Sequence, residues 1–479
     1  FSGDGLRTLV LAKRTVPEDV FAAWYERYDD ATAALEGRDQ AVAALQDELE
    51  RELVIVGVTG IEDELQPGVP ETIEMLKRAG IRTWVITGDK LETAVNVGVA
   101  CRLLDGRAEE IATDSDDACA ARLREVAARV EADGELGVVI AGPDVERCVT
   151  TQAALFRPVA LHARCVVCCR VTPLQKAAIA AFVKKTTGKV VLTIGDGAND
   201  VPMINTGDIG VGIFGKEGNQ AARAGDFALQ RFRHVAKLVL FHGRQSLLRN
   251  ALLIKLCFYK NAAFFLIFVW YSFVSNYTCQ VLYDDYMMTF YNILLTSVPP
   301  VITAVCERDV TWQTVQRYPE CNREMLARRR ISLVSFIGWF VFGVYQSLVC
   351  FFFLYFVVFP TDVARGDGVN GGLVYSSLTV TWYSFISVLA TFLVATRTIN
   401  AVVVVGHVVS VVLFVALYAI LCFLPGWSTL NMSWYGYVVI FSTPQFYLLT
   451  LVVVVFATLP LFLKLASARP RLTCSFERL

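Results

Sequence analysis

Hydrophobic and polar positions divide the chain into two halves near residue 245. Before that point, short apolar runs rich in β-branched residues alternate with amphipathic segments and charged connectors. This alternation is typical of an α/β doubly wound parallel sheet. From Ala251 onward, long uncharged runs dominate, and they predict an α-helical membrane domain.

In the first half, the predicted strands are apolar runs that end at glycine or at polar residues. They lie at residues 53–58, 81–86, 137–140, 166–169, 189–192 and 209–213. The predicted helical regions lie at 17–52, 69–79, 92–101 and 174–185. The acidic, alanine-rich segment 105–135 predicts a solvated helical insert.

The second half holds six apolar runs, each reaching the roughly 20 residues that cross a bilayer as a helix. They lie at about 251–275, 286–306, 333–359, 377–396, 400–424 and 435–463. None of these runs contains Asp or Glu. Because a cation path needs carboxylates within the membrane, a cation-transporting pump is disfavoured.

The loops between these runs predict their orientation, since basic residues concentrate on the cytosolic side. One side carries Arg308, Arg317, Arg323, Arg328, Arg329, Arg330, Arg397, Lys464, Arg469, Arg471 and Arg478. The opposite loops carry Arg365 beside Asp284, Asp285, Asp362 and Asp367. With an even number of spans, both termini are expected in the cytosol. The polar start of the chain, which has no signal peptide, agrees with this orientation.

Charge and cysteine content exclude some other classes. The net charge of −1 gives no basic excess for a nucleic acid partner. The 13 cysteines have no disulfide-framework spacing. Cys165, Cys168 and Cys169 resemble a metal-binding pair, but without a second pair nearby we interpret them as buried thiols of a strand.

The most informative stretch is GDGAND at 195–200, which follows a predicted buried strand. Its glycines allow a tight turn, and it places Asp196 and Asp200 at the carboxyl end of that strand, where ligands bind in open α/β sheets. Paired carboxylates there suit Mg²⁺, which takes few protein oxygens and shares the rest with water and phosphate.

Two other predicted strands also end in polar groups, Thr87-Gly88-Asp89 after one and Arg170 with Lys176 after another. We expect the Thr87 hydroxyl to bond a phosphoryl oxygen, Lys176 to neutralise its charge, and Asp196 to hold Mg²⁺. This set is suited to phosphoryl transfer through an acyl-phosphate. Such a reaction also needs an activated Asp nucleophile, and residues 1–53 contain no candidate for it.

Further motifs occur in order along the chain and carry a family resemblance. They are GLRTL at 5–9, IEDELQ at 61–66, TGDK at 87–90, CCRVTPLQK at 168–176, GDGAND at 195–200, HGR at 242–244, FYKN at 258–261 and YN at 291–292. The sequence resembles the phospholipid-transporting P-type ATPases, the lipid flippases, whose phosphorylation domain has a haloacid-dehalogenase-like fold. The six spans are similar to the last six of that family.

The resemblance implies a division of the chain and a set of functional residues. It implies the end of a nucleotide-binding domain at 1–52, part of a phosphorylation domain at 53–245, a transmembrane domain at 246–466 and a cytosolic tail at 467–479. Asp63 is expected in the hinge returning to the phosphorylation domain. The implied ATP-binding residues are Arg7, Thr87, Gly88, Asp89, Arg170, Lys176, Asn199 and Asp200, with Asp196 and Asp200 as magnesium ligands. The implied lipid-transport residues are Lys260, Asn261 and Asn292. For Lys260 the alternative is a lysine that snorkels to the membrane interface.

The family's DKTGT phosphorylation motif, its actuator loop and its first four spans have no counterpart in the 479 residues. We therefore interpret the chain as the C-terminal portion of a flippase that moves phospholipid from the exoplasmic to the cytosolic leaflet, itself inactive when isolated. A catalytically inactive regulatory protein is the alternative. The resemblance also implies an accessory β-subunit with a large exoplasmic domain, in the plasma membrane or late secretory and endosomal membranes.

Overall fold

The computed structural model describes residues 7–33, 37–61, 65–104, 108–215, 218–326, 332–358, 372–423, 430 and 434–476. Within these ranges the side chains of Arg7, Asp39, 434–437 and 468–476 lie outside the description. The chain divides into two compact units, Phe1–Ala236 and Lys237–Leu479.

The strands of the first unit form two parallel sheets and one antiparallel ribbon. They are β1 (Arg7–Lys13), β2 (Val54–Ile61), β3 (Trp84–Ile86), β4 (Ala108–Ile111), β5 (Gly137–Ile140), β6 (Cys165–Cys168), β7 (Leu192–Gly195), β8 (Ile209–Ile213) and β9 (Phe227–Leu229). The parallel sheets have the orders β3-β6-β5-β4 and β7-β8-β9, and β1 pairs with β2. The strands β5 and β6 are buried along their whole length, as expected for parallel strands covered on both faces.

Helices follow most of these strands and cover the sheets. They are α1 (Glu18–Ala33), α2 (Arg38–Leu49), α3 (Val69–Arg78), α4 (Leu91–Ala100), α5 (Asp116–Ala132), α6 (Gly142–Val149), α7 (Ala153–His162), α8 (Pro173–Thr187), α9 (Val201–Thr206), α10 (Gln220–Ala224) and α11 (His234–Ala236), with a 3-10 turn at Ala198–Asp200. The α/β parallel-sheet fold predicted from the alternation is therefore confirmed.

The prediction of a solvated insert at 105–135 is wrong. The segment contributes the edge strand β4 and the helix α5. Cys119, Leu123, Val126 and Val130 of α5 are buried at helical spacing, while its acidic residues are on the outer positions. The acidic composition concealed one apolar stripe that packs on the sheet.

Three strand predictions differ from the structure in pairing or position. The strand predicted at 81–86 is β3, which begins only at Trp84. The strand predicted at 53–58 is β2, which pairs antiparallel with β1 and is not part of a parallel sheet. The strand predicted at 189–192 is β7, which begins only at Leu192. Val54, Ile55 and Val56 of β2 are exposed although consecutive strand residues point to opposite faces. Both faces of this ribbon are therefore apolar and uncovered.

The second unit is helical. Its elements are Lys237–Gly243 (π-helix), Arg244–Val274, Asp285–Phe290, Tyr291–Leu295 (π-helix), Val298–Cys306, Trp312–Arg317, Pro319–Asn322 (3-10 helix), Arg323–Leu326, Leu333–Phe353, Leu354–Val358 (π-helix), Gly372–Ala395, Ala401–Phe423, Trp434–Ser442 and Pro444–Phe476. Among the described residues, six helices are long and apolar enough to cross a membrane, which confirms the sequence prediction. They are His234–Val274, Asp285–Cys306, Leu333–Val358, Gly372–Ala395, Ala401–Phe423 and Pro444–Ser467, the first to the sixth span in order.

The second span is interrupted where the sequence predicts one continuous run. The π-helix Tyr291–Leu295 ends at Thr296, and the α-helix resumes at Val298. Pro299 and Pro300 lie in the first turn of the new helix, the part of a helix where proline is tolerated. The interruption leaves the carbonyl oxygen of Thr296 available to a neighbouring helix.

Glu307, just after the second span, is a buried carboxylate with an unusual environment. It is 6% exposed, and its Oε2 accepts the N–H of Arg397 at 3.0 Å. Burial raises the pKa of Glu307 from its ordinary value of 4.5, opposed by the N–H groups of Arg397 and Thr398 and supported by the charge of Asp309.

Glu307→Gln is expected to stabilise the chain more at neutral pH than at acidic pH. With the pKa of Glu307 raised in the folded state, folded chain holds more protons than unfolded chain above pH 4.5. The contribution of Glu307 to the free energy of unfolding therefore decreases as the pH rises through this window, and glutamine has no such dependence. Thermal unfolding in detergent, measured from acidic to neutral pH, checks this. Glu26→Gln, at an exposed position of α1, is the control and should show no trend.

Candidate active site

The turns after β3 and β6 lie side by side through backbone hydrogen bonds. Thr87 N donates to Cys168 O at 2.8 Å, Arg170 N to Asp89 O at 2.9 Å, and Val171 N to Thr87 O at 3.1 Å. These bonds extend the parallel pairing of β3 with β6 beyond the strand ends. The structure therefore brings together Thr87, Asp89 and Arg170, which the sequence placed at two separate strand ends.

Within the first turn, the Thr87 hydroxyl is already hydrogen-bonded. It donates to Asp89 Oδ2 at 2.5 Å, and Asp89 N donates back to Thr87 Oγ1 at 3.1 Å. Gly88, between them, is exposed. A phosphoryl oxygen that accepts from Thr87 must therefore replace the carboxylate of Asp89 as the acceptor.

Arg170 has a left-handed backbone conformation, with φ of 52°. A Cβ at Gly142, the first residue of α6, would lie 2.5 Å from the carbonyl oxygen of Arg170, so glycine permits this close approach. Such a conformation in a non-glycine residue costs of order 1–3 kcal/mol and is typical of functional sites. The Arg170 side chain is exposed at the carboxyl end of β6.

The helix α8 connects the two parallel sheets of the first unit. It starts with a capping box, in which Thr172 accepts from Gln175 N and the Gln175 side chain accepts from Thr172 N. One residue later, Lys176 Nζ lies 2.8 Å from Asp200 Oδ1, and each side chain is only 13% exposed. The start of α8 and the turn after β7 are therefore joined by a nearly buried ion pair.

A second ion pair fixes the other end of α8. Lys184 Nζ lies 2.7 Å from Asp208 Oδ1, and Val191 N donates to Asp208 Oδ2 at 2.9 Å. These two contacts hold the pKa of the Asp208 carboxyl below its ordinary value. Because α8 is attached at both ends, the position of Lys176 relative to β7 is well determined.

The GDGAND turn is built around close backbone packing. A Cβ at Gly195 would lie 2.3 Å from Asp200 Cβ, so only glycine fits at the end of β7. Asp200 Oδ2 accepts from Gly197 N at 3.4 Å, and its other oxygen accepts from Lys176. Within the described part of the chain, the exposed carboxylate of Asp196 has no hydrogen bond or ion pair.

These carboxylates fit the oxygen chemistry of a magnesium ion. Asp196 offers two free anionic oxygens at the carboxyl edge of the sheet, and Asp200 lies four residues on. Because Asp200 also holds Lys176, a shared ion would bring the lysine next to any phosphate that it binds. The described residues contain no group of three or more His, Cys, Asp or Glu side chains that could hold a metal ion.

The remaining predicted nucleotide-site residues have less structural support. Asn199 lies on the 3-10 turn with an exposed side chain. The Arg7 side chain and the whole of Asp63 lie outside the described residues.

The cysteines next to this site are interior residues. Cys165 and Cys168 lie in β6 and Cys169 follows it, and all three thiols are buried. Burial raises the pKa of the Cys168 thiol because the sheet interior disfavours the thiolate. A thiol that stays protonated is a poor metal ligand, which agrees with their interpretation as buried strand residues.

In the second unit, Lys260 of the first span is buried at 5% exposure. Its Nζ donates to Thr296 O at 3.0 Å and to Thr296 Oγ1 at 2.9 Å, at the interruption of the second span. It also lies 5.9 Å from the ring centroid of Tyr291, whose hydroxyl donates to Lys260 O at 3.1 Å. The side chain thus contacts the interior of the helix bundle and does not extend toward a helix end.

The two asparagines predicted together with Lys260 as lipid-transport residues have no hydrogen bond to it among the described residues. Asn261 is half-buried, and its Oδ1 has no partner among the described residues. Asn292 is half-buried on the π-helix. Thr296 and Tyr291, which do contact the lysine, were missed by the sequence analysis. The proline pair that follows was the only local signal of the interruption.

Comparisons with known proteins agree with this architecture. The family model described as phospholipid-translocating P-type ATPase C-terminal matches residues 222–469, and that described as haloacid dehalogenase-like hydrolase matches residues 7–140. Phospholipid-transporting ATPase VD of Mus musculus is 36% identical over 96% of the chain. Phospholipid-transporting ATPase ID of Homo sapiens is 37% identical, and DNF2 of Saccharomyces cerevisiae 36% identical, each over 77% of the chain.

The chain is much shorter than these relatives. The matched part covers 34% of the mouse protein, 33% of the human protein and 25% of the yeast protein. It spans about a third or less of the length of the curated relatives that it matches.

Proposed function

The chain belongs to the family of phospholipid-translocating P-type ATPases, and from this membership we propose that it supplies part of the catalytic site and six membrane spans of an ATP-driven phospholipid flippase. In that family role it is a multi-pass membrane protein, and both termini are cytosolic. The complete protein moves phospholipid from the exoplasmic to the cytosolic leaflet through an aspartyl-phosphate cycle.

The observation that carries the proposal is the Lys176–Asp200 ion pair between the start of α8 and the turn after β7, the turn that also bears the exposed Asp196. In the proposed reaction, Asp196 and Asp200 hold Mg²⁺, which screens the charge of the transferring phosphoryl group. Lys176 and Thr87 bind phosphoryl oxygens. Gly88, Asp89, Arg170 and Asn199 border the same strand ends and contact ATP.

The strand that carries the nucleophile of the complete protein is expected beside the sheet edges formed by β3 and β7. The strands β3 and β7 lie at the edges of their sheets, although both are mostly apolar like interior parallel strands. Trp84, Val85 and Ile86 of β3 are each partly exposed, unlike the fully buried β5 and β6. This exposure supports a further parallel strand, carrying the phosphorylated Asp, as a neighbour of these edges.

The β1–β2 ribbon supports a similar continuation. A two-stranded ribbon with both faces apolar and uncovered is marginally stable in water. In the proposed protein, the ribbon joins the remainder of a nucleotide-binding domain, where Arg7 contacts the ATP phosphates. The accessory β-subunit and the location in plasma, late secretory or endosomal membranes belong to this proposal as well.

The membrane spans favour a lipid over a cation as the transported species. The described helices of the six spans contain Asp only at Asp285, the first residue of the second span, and contain no Glu. Lys260, beside Thr296, is instead a buried cation. A cation path lacks ligands here, whereas an ammonium suits the phosphate of a lipid headgroup.

The 479-residue chain by itself is expected to form no acid-stable phosphoenzyme, because its sequence has no DKTGT nucleophile. A full-length protein that contains this chain and the motif is expected to do so. The measurement is incubation with radiolabelled ATP and Mg²⁺, followed by acid precipitation and hydroxylamine treatment. ATP-dependent uptake of a fluorescent phospholipid into the cytosolic leaflet then tests transport.

The controls separate the two candidate functions. Replacing the motif Asp by Asn in the full-length protein should remove both labelling and transport. Hydroxylamine-sensitive label on the isolated chain would overturn the assignment of the nucleophile. A reading frame without any DKTGT motif would instead support the catalytically inactive regulatory protein.

A further inference from the structure

A buried ion pair joins the start of the first span to the segment after the second span. Arg244 Nε and an Arg244 terminal nitrogen donate to Asp309 Oδ2 at 2.9 and 2.6 Å. The two side chains are only 6% and 3% exposed. The other terminal nitrogen of Arg244 donates to Cys321 O at 2.8 Å, in the connection to the third span.

Asp309 uses its second oxygen as well. Gln245 Nε2 donates to Asp309 Oδ1 at 3.2 Å and to Val310 O at 3.3 Å. Arg249, one turn further along the first span, donates through Nε to Glu307 O at 2.9 Å. One carboxylate and the backbone beside it therefore receive hydrogen bonds from three residues of the same helix, Arg244, Gln245 and Arg249.

The same segment reaches the connection between the fourth and fifth spans. Arg308 N donates to Thr398 Oγ1 at 3.1 Å, and Thr398 Oγ1 donates to Arg308 O at 2.9 Å. Glu307 Oε2 accepts from Arg397 N. We name the set Arg244, Gln245, Arg249, Glu307, Asp309 and Thr398 the polar clamp.

The energetics distinguish the polar clamp from ordinary surface ion pairs. Arg27 and Glu48 form an equally close exposed pair, at 54% and 52% exposure, of the kind that contributes little to stability. Burial of Arg244 and Asp309 costs desolvation that a well-packed apolar pair would avoid. In return, the pair fixes a position. Asp309 Oδ2 keeps both of its hydrogen bonds from Arg244 only when Arg244 stays where it is relative to the loop that bears Asp309.

The helix before the polar clamp has a geometry that can adjust. Lys237–Gly243 is π-helical and ends immediately before Arg244. The π-helix is a rare form that is frequently found at functional sites, and its hydrogen-bonding pattern differs from that of the α-helix that follows. A change from π-helical to α-helical hydrogen bonding within Lys237–Gly243 would end before Arg244. The α-helix Arg244–Val274 would then move as a unit.

We propose that Asp309 is a positioning residue, which makes the first span, the connection to the third span and the connection between the fourth and fifth spans move as one body. A displacement of Arg244 is then passed to the loops that bear Cys321 and Thr398, and not to one neighbouring helix alone. The role of Asp309 in transport rests on the proposed function. The hydrogen bonds that link the first span to the two connections do not depend on it.

The experiment replaces Asp309 by Asn, with Arg27→Gln as the matched control that breaks the exposed ion pair. In a full-length protein, phosphoenzyme formation from ATP should stay within about twofold of the parent. Lipid-stimulated dephosphorylation should fall about tenfold or more, a typical size of coupling between sites. Arg27→Gln should change neither step. Where Asp309→Asn fails to fold, Gln245→Ala removes one donor, leaves the ion pair in place and is expected to shift the same step in the same direction.

Hydrogen exchange on the 479-residue chain in detergent tests the connection independently of ATP. In Asp309→Asn, exchange of amides at 307–310 and 397–398 should rise about tenfold, with the sheets of the first unit unchanged. Exchange unchanged at both segments would overturn the proposal. Equal loss of phosphorylation and dephosphorylation would also overturn it, since a merely structural role lowers both. If the full-length parent protein forms no phosphoenzyme, the proposed function fails. The exchange rates at 307–310 and 397–398 still test whether Asp309 links these segments.

Discussion

Asp196→Asn in a full-length protein that contains this chain is expected to abolish phosphoenzyme formation, lowering its rate by about 100-fold or more. The change keeps the size of the side chain and removes one negative charge from the end of β7. Because Asp196 is exposed and unpaired among the described residues, folding should be little affected. The rate of labelling by radioactive ATP at several magnesium concentrations is the measurement.

The structural reason is that the two carboxylates are not equivalent. Asp200 already accepts from Lys176 and from Gly197 N, so part of its charge is used inside the protein. Asp196 has both oxygens free, and we expect it to be the main protein ligand of the ion. Its loss removes charge stabilisation that is typically worth several kcal/mol in such sites.

Asp30→Asn is the matched control for this prediction. Asp30 is exposed on α1, outside the turns after β3, β6 and β7 that form the site. Its replacement should leave labelling near the parent level. Normal labelling of Asp196→Asn at low magnesium would show that the ion is held elsewhere.

Much of the candidate active site was accessible to sequence reasoning because several of its residues follow strands directly. The carboxyl ends of parallel strands share one edge, so Thr87, Arg170 and Asp200 could be grouped before their contacts were known. The Lys176–Asp200 contact depends on the start of α8, which its capping box and the proline of its first turn mark in the sequence.

Other features of the first unit depend on packing that is distant along the chain. The buried apolar residues of α5 are separated by alanine and acidic residues. The acidic composition therefore suggested a solvated helix, although the apolar residues recur at helical spacing. The order of the sheets, with β3 and β7 at edges, cannot be read from the alternation of strands and helices. The start of β7 was misplaced because Val190 and Val191 continue the apolar run although they precede the paired residues.

In the second unit, hydropathy predicts the spans well because the bilayer sets their length. The contact of Lys260 with Thr296 joins residues 36 positions apart and needs the interruption of the second span. The polar clamp joins the first span to residues of two connections in the same way. Such contacts are set by how helices pack, and no local periodicity encodes them.

Lys260→Ala is expected to impair lipid-dependent dephosphorylation while leaving phosphorylation by ATP intact. A lysine within a span is penalised by roughly 2.5–3.5 kcal/mol at the helix centre, so its presence there indicates a function. In this chain Lys260 is buried, with two of its three N–H donors used by Thr296. Among the residues that the structure describes, no other group accepts from Lys260 Nζ, so its third donor is left for an anionic group, such as a lipid phosphate.

The size of the effect follows from the loss of one charge-assisted hydrogen bond. Such bonds contribute about 1.5–3 kcal/mol, so the lipid concentration for half-maximal dephosphorylation should rise about tenfold or more. The measurement is the decay of preformed phosphoenzyme over a lipid titration, alongside transport of a fluorescent phospholipid.

Lys255→Ala is the control on the same helix, because Lys255 is partly exposed five residues earlier. Lys255→Ala also removes one positive charge from the first span, but it leaves the hydrogen bonds between Lys260 and Thr296 in place. If both variants keep the parent lipid dependence, the Lys260 ammonium serves only to fix the interruption of the second span. If only Lys260→Ala shifts it, the buried ammonium at Thr296 interacts with the transported lipid, because the charge of the span alone would have made the two variants alike.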